Sequence, residues 1–243
     1  MKQMLIYQNV KPVNRQEHGD LALKSTNRYD FARETNAVPL VVGEFQWASE
    51  DYPVVFTPTP EGLIPSAILG VRDKENAFVK ADGSWDARYI PAFVRRYPFV
   101  FGGDPKGETF TLMIDDSYEG LNRENKGERL FDGDGTQTQF LNQTLNFLRE
   151  YQAQFLRTRT FCERLKELDL LAPVEAHVPL PEDPKRTLSG FQVVNREKLK
   201  ALSDKVVDEL FRRDELEAIY LHQFSLRNIG RVHERIIKVA PAA

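Results

Sequence analysis

The chain has 243 residues, 41% hydrophobic and 28% charged, with a formal net charge of −3. That length buries a proper core in one large domain or two modest ones, and the acidic balance argues against a surface built to hold nucleic acid. No window approaches the roughly 18 apolar residues of a spanning helix, and the N-terminus MKQMLIYQNV has no apolar signal core, so a cytoplasmic protein without membrane insertion is expected. An uncleaved C-terminal export signal would leave no such mark.

The first half reads as strand-rich. VPLVVGEFQWASEDYP predicts an extended segment and then helical turns at Gly43–Asp51. The residue before a proline is pushed out of the helical region, so Tyr52 ends that helix and VVF continues as a strand. IPSAILGV (64–71) and NAFVKADGSW (76–85) follow as strands, with Asp82-Gly83 as a turn. YPVVF at 52–56 is echoed by YPFVF at 97–101. Pro91 suits a first helical turn, Ala92–Arg96 make the helix, and Pro98 stops it. The echo reads as one helix-stop-then-strand device used twice. FVFGG and ETFTLMID then form a hairpin around Asp104–Gly107.

The second half reads as helical. One amphipathic pattern runs from about 137 to 168, with Thr136 and Gln139 at capping-box spacing and Leu141, Leu145, Leu148, Phe155, Cys162 and Leu165 on the buried face. Such a helix exceeds what a small domain needs, so part of it is expected to face a second lobe or, in a homodimer, a second chain. Four prolines in APVEAHVPLPEDPKR (172–186) mark an internal boundary between a strand-rich lobe (1–135) and a helix-rich lobe (136–243) of one unit. TLSGFQVVN is a strand, Asn195 and Ser203 cap short helices, and one last helix spans about Glu215–Ile237. The fold class expected is α+β: a mainly antiparallel sheet from the N-terminal half packed against long helices of the C-terminal half, with an extra strand or hairpin near 174–195.

Chemistry is sparse. His18-Gly19-Asp20 has half of a two-histidine, one-carboxylate metal pattern, but it lies in the polar stretch NRQEHGD, which reads as a loop. His222 and Ser225 share the apolar stripe of the last helix; they are either a nucleophile–base pair or a buried histidine with satisfied neighbours. Arg95-Arg96 either complement a helix end and pair with Asp115 or Asp116, or clamp a carboxylate or phosphate. DGDG at 132–135 lacks the ligand spacing of a calcium loop. Cys162, the one cysteine, allows no intramolecular disulfide and reads as packing.

Taken in order, FARETNAVPLVVGEF, EDYPVVF, ILGVRDKENAFVKADGSW, YIPAFVRRYPFVF, LFDGDGTQT, RTRTFCERLKELDLL, LSGFQVVNREKLKAL and IYLHQFSLRNI resemble the SapC family of bacterial proteins over nearly the whole chain. That family is named for an association with surface layers, although relatives occur where no layer exists, often encoded near oxygenase-like and halogenase-like proteins. The resemblance implies no reaction and no catalytic set; its polar matches are Arg95, Arg96, Asp115, Thr160, His222 and Ser225. Asp183-Pro184 departs from the family's Asp-Gly turn.

The expectation is a non-catalytic binding or accessory protein, acting with a protein or peptide partner in an envelope-related or biosynthetic pathway, with no metal and no cofactor. Arg95, Arg96, Asp115, His222 and Ser225 are its candidate ligand-binding residues. One alternative is an enzyme, or a subunit of an oxygenase or halogenase system, in which the arginines hold an anion and His222 is the base. A second is an exported surface-layer component.

Overall fold

The computed structural model describes residues 5–103 and 110–239. The expected Asp104–Gly107 loop and the first four residues of the N-terminus lie outside them. In chain order, β1 (Val10–Pro12) leads into α1 (Arg15–His18), and β2 (Ala22–Leu23) and β3 (Ala37–Pro39) follow. A 3-10 turn at Val42–Glu44 runs into α2 (Phe45–Asp51), then β4 (Val54–Thr59) and β5 (Gly62–Ile68). Next come α3 (Ala92–Arg95), β6 (Phe99–Gly103), β7 (Phe110–Asp115), β8 (Leu121–Asn122) and β9 (Glu128–Arg129). The second half holds α4 (Gln139–Glu167), β10 (Leu171–His177), β11 (Thr187–Val194), α5 (Arg196–Lys200), α6 (Asp204–Arg212), α7 (Glu215–Ser225) and α8 (Asn228–Val239).

The class is α+β. The main antiparallel sheet has the order β10-β11-β4-β5-β3, so the hairpin from the C-terminal half joins strands of the N-terminal half. A second sheet is β1-β7-β6 and a third, of very short strands, is β8-β2-β9. The Tyr-Pro device works twice as read: Tyr52 (φ −118°, ψ 147°) ends α2 ahead of β4, and Tyr97-Pro98 separates α3 from β6. The two strands nevertheless enter different sheets.

The length of α4 has an internal cause. Its 29 residues span about 44 Å. Leu141 and Leu148 pack into a small core with Phe99 and Ile114, while Phe161, Cys162 and Leu165 enter the main core beside Phe45, Phe56 and Ile219. Between them Tyr151 packs with Val41 and Ala92, so one helix serves three apolar clusters of the same chain. No helix among the described residues is long and apolar enough to cross a membrane.

Several local readings need correction. NAFVKADGSW contributes one isolated Val79–Trp85 bridge and no strand. Asn76 accepts from the Phe78 amide (2.9 Å) and Asp82 from the Ser84 amide (2.9 Å), and these side-chain turns, with isolated backbone bonds such as Lys80 N–H to the Ser84 carbonyl (2.9 Å), hold the segment without a regular ladder. The turn itself forms, with Gly83 at φ +85°. Pro91 stands just outside α3 as its N-cap residue. Thr138, and not Thr136, caps α4: its Oγ1 accepts from the Leu141 amide at 3.2 Å. Thr136 is spent on Asp134, and a Phe131–Gln137 bridge keeps the chain extended until that point. His18 ends a short helix and is buried, its Nε2 facing Asp116 at 3.5 Å. The last helix is two helices, α7 ending at Ser225 and α8 beginning at Asn228.

Candidate functional site

The register Gln192↔Phe56 between β11 and β4, continued by two residues, sets Val194 opposite Val54. The direct ladder bond is replaced by the His222 ring. The Val194 amide donates to Nε2 at 3.0 Å, and Nδ1 stands 2.8 Å from the Val54 carbonyl, which requires the tautomer protonated on Nδ1. Ser225 completes the seam: its Oγ accepts from the Val54 amide (2.9 Å) and donates to the His222 carbonyl (2.6 Å). One turn on, Asn228 Nδ2 donates to the Ser49 and Tyr52 carbonyls at 2.8 and 3.2 Å, closing the open end of α2. The break falls between the two sets of bonds, α7 ending at Ser225 and α8 beginning at Asn228. All three side chains are buried. Burial pushes the His222 pKa down to about 4, only partly opposed by its bond to Val54. Both nitrogens of this imidazole are occupied, leaving neither to take a proton from a substrate.

Asp115 is also inward. Its carboxylate accepts from the amides of Gln8 (2.7 Å), Asn9 (3.1 Å) and Ser117 (3.0 Å) and from the Ser117 hydroxyl (2.6 Å). Burial alone would raise its pKa, but the Ser117 hydroxyl and these amides outweigh it and hold the carboxyl below its ordinary value. The stability it contributes is therefore present above the ordinary carboxylate range and is lost as pH falls toward the lowered value. An Asp115→Asn change turns a donor toward other donors. The expected result is a loss of about 2 kcal/mol at neutral pH and a shallower acid limb, both read from urea unfolding at several pH values. Asp116, the other carboxylate considered for the arginines, is taken by Lys11 at 2.6 Å.

The arginine pair diverges. Arg96 is buried, its guanidinium over the rings of Phe93 (4.3 Å), Tyr151 (5.0 Å) and Tyr7 (5.7 Å). Arg95 faces solvent, so the pair presents one guanidinium outward and not a double clamp. The five sequence-derived candidates do not surround a common cavity. Thr160 lies on the outer side of α4, and Cys162 is buried, its thiol pushed up to about 12 by burial. Among the described residues no group of three or more His, Cys, Asp or Glu side chains is placed to hold a metal ion.

What Arg95 does face is a site that sequence reasoning missed. Asp51 Oδ2 accepts from the amides of Arg88 (3.0 Å) and Tyr89 (3.1 Å), fixing the strap that leads into α3. Glu44 reaches across from the 3-10 turn: Oε2 accepts from the Val41 amide (2.8 Å), and Oε1 from the Ala92 amide (2.7 Å) and the Tyr89 hydroxyl (2.7 Å). Arg95 Nη2 donates to that hydroxyl at 3.2 Å and Nε to the Ile90 carbonyl at 2.9 Å. Trp47 stacks on Tyr89 with centroids 5.9 Å apart and planes 20° apart, while remaining 52% exposed. The Arg95 guanidinium lies over Tyr89 (5.6 Å) and Phe147 (5.3 Å).

Trp47, Arg88, Tyr89, Ile90 and Arg95 line an open recess of about 400 Å³. Burial and the neighbouring Glu44 carboxylate push the Tyr89 pKa well above its ordinary value, so its hydroxyl is no nucleophile at neutral pH. Burial raises the Glu44 pKa against the pull of its three donors. The recess offers an aromatic face, an apolar contact and two guanidinium groups, which is equipment for binding. The sequence carried one usable sign: Trp47 falls with Gln46 and Glu50 on the polar side of α2, opposite buried Phe45, Ala48 and Ser49.

Comparison with known proteins gives one positive result. The SapC family model matches residues 13–232. Searches of curated proteins and of solved structures each returned no match. A match over nine-tenths of the chain, carrying both Tyr-Pro devices, α4 and the His222–Ser225 seam, settles membership: the chain belongs to the SapC family.

Proposed function

We propose that the protein is a non-catalytic binding protein that docks a peptide segment of a partner protein in the recess formed by Trp47, Arg88, Tyr89, Ile90 and Arg95. The observation that carries this reading is an indole left half exposed on a rigidly held tyrosine, with the Arg95 guanidinium over the same ring. Tryptophan, tyrosine and arginine are the residues in which binding energy concentrates at protein interfaces. The Arg88 side chain is 87% exposed and Arg95 keeps donors free of its two local bonds, so the segment that fits carries an apolar side chain for the indole beside a carboxylate for the guanidinium groups. The occupation of His222 and Ser225 by the sheet backbone further supports binding over catalysis.

The test is selection of short random peptides on the intact protein, followed by affinity measurement for the enriched sequences. Enriched peptides are expected to pair an aromatic or aliphatic residue with an aspartate or glutamate. Trp47→Ala is expected to weaken them by about thirtyfold, with an unchanged melting curve because the indole is outside the core. Equal binding by Trp47→Ala, or the absence of any saturable peptide, would remove the proposal.

A further inference from the structure

A second opening, which shares no lining residue with the Trp47 recess, lies between α8 and the segment from Ala77 to Asp86. It has a volume of about 770 Å³ and is lined by four basic side chains, Arg33, Lys80, Arg231 and Arg235, against two acidic ones, Asp86 and Glu234. That excess of cations stands on a chain whose net charge is −3. The basic groups are held in place before any ligand arrives. Arg33 donates to the carbonyls of Val79 (3.3 Å) and Lys80 (2.8 Å) and to Asp30 (2.6 Å). Arg231 donates to the Glu50 carbonyl at 3.1 Å. Arg235 lies 4.7 Å from the Phe78 ring centroid and pairs with Asp86, which Lys80 also approaches at 3.2 Å. A single carboxylate thus neutralises one of two cations. Val79 and its alanine neighbours supply an apolar wall.

We propose that this cavity binds a small dianion, its paired phosphate or carboxylate groups held by Lys80, Arg231 and Arg235. Fixed guanidinium and ammonium groups suit such a ligand because little ordering remains to be done on binding. The geometry also supplies a reporter. Trp85 is bridged through its backbone to Val79 and stacks at 6.3 Å on Phe78, the ring beneath Arg235. The chain has two tryptophans, so a Trp47→Phe variant leaves Trp85 as the only one.

That variant is titrated with pyrophosphate and, separately, with succinate, following Trp85 emission and confirming by calorimetry on the parent protein. A saturable response to pyrophosphate assigns phosphate chemistry and one to succinate assigns dicarboxylate chemistry. Lys80→Ala combined with Arg231→Ala is expected to weaken the responding anion at least tenfold, while Glu234→Gln is expected to tighten it two- to threefold, a gain that misfolding cannot imitate. Failure of both anions to saturate, or unaltered affinity in both variants, would overturn the proposal. Because Trp47 is already absent from the fluorescence assay, its outcome is independent of the peptide-docking reading.

Discussion

A His222→Ala protein is expected to lose on the order of 4 kcal/mol of stability at neutral pH. The ring sits within the β4–β11 ladder, receiving the Val194 amide and answering the Val54 carbonyl. Deleting it strands a buried donor and a buried acceptor, each worth about 1–3 kcal/mol, and leaves a cavity beside Phe56, whose ring centroid is 4.9 Å away. Chemical denaturation followed by circular dichroism measures this directly. The pH dependence gives an independent signature. The folded protein holds the imidazole neutral down to about 4, whereas the unfolded chain protonates it near 6.5. The unfolded state then binds more protons between those values, so the contribution is complete above 6.5 and is lost as pH falls toward 4, by roughly 3 kcal/mol. A His222→Gln variant is expected to flatten stability across that window. If the histidine instead took part in turnover, an activity with a matching pH profile would appear in the parent and vanish in both variants.

Glu44→Ala is expected to cost about 3 kcal/mol and, unlike the histidine change, to weaken peptide docking as well. The carboxylate collects the Val41 and Ala92 amides and the Tyr89 hydroxyl in one buried place, joining the 3-10 turn to α3 and to the recess. Removing it leaves those donors without an acceptor in a dry site. It also releases the tyrosine against which Trp47 and Arg95 are arranged. Glu44→Gln keeps an acceptor for Ala92 and Tyr89 but sets its amide against the Val41 N–H, so a milder loss of about 1–2 kcal/mol is expected. Because burial raises the folded-state pKa of Glu44, the parent should be favoured relative to Glu44→Gln as pH falls into that raised range, and this relative advantage should shrink as pH rises through it. Unfolding curves at mildly acidic and neutral pH compare the two. Equal stability of parent and alanine variant would show that the carboxylate organises nothing.

Much of the architecture was legible because its causes are local. A proline bars helix at the residue before it, so Tyr52-Pro53 and Tyr97-Pro98 announced both helix ends and both following strands. Asn195 signalled the start of α5 by its own side chain, which accepts from the Glu197 and Lys198 amides at 2.9 and 3.0 Å. Where distant groups compete, local rules misled. Apolar spacing predicts one helix through Glu215–Ile237, but the chain forms two, and the second opens at Asn228, which answers carbonyls of α2 some 180 residues earlier. The apolar spacing marks Leu141, Leu145, Leu148, Phe155, Cys162 and Leu165 as the buried face of α4; the structure adds Tyr151 and Thr158, the latter bonded to the Val42 amide at 2.8 Å.

The sequence by itself determined the class, the two helix-stopping devices, the strand-rich and helix-rich halves and the family, since short-range sterics and periodicity act before any long-range contact forms. Only the tertiary structure decided the use of each polar group. Whether His222, Asp115 or Arg95 faces a ligand, a backbone or solvent depends on which distant amide or ring lies within hydrogen-bond reach, and hydrogen bonds act only over about 3 Å. The same packing turned the imidazole into part of the sheet and left the unremarked Trp47 at the surface.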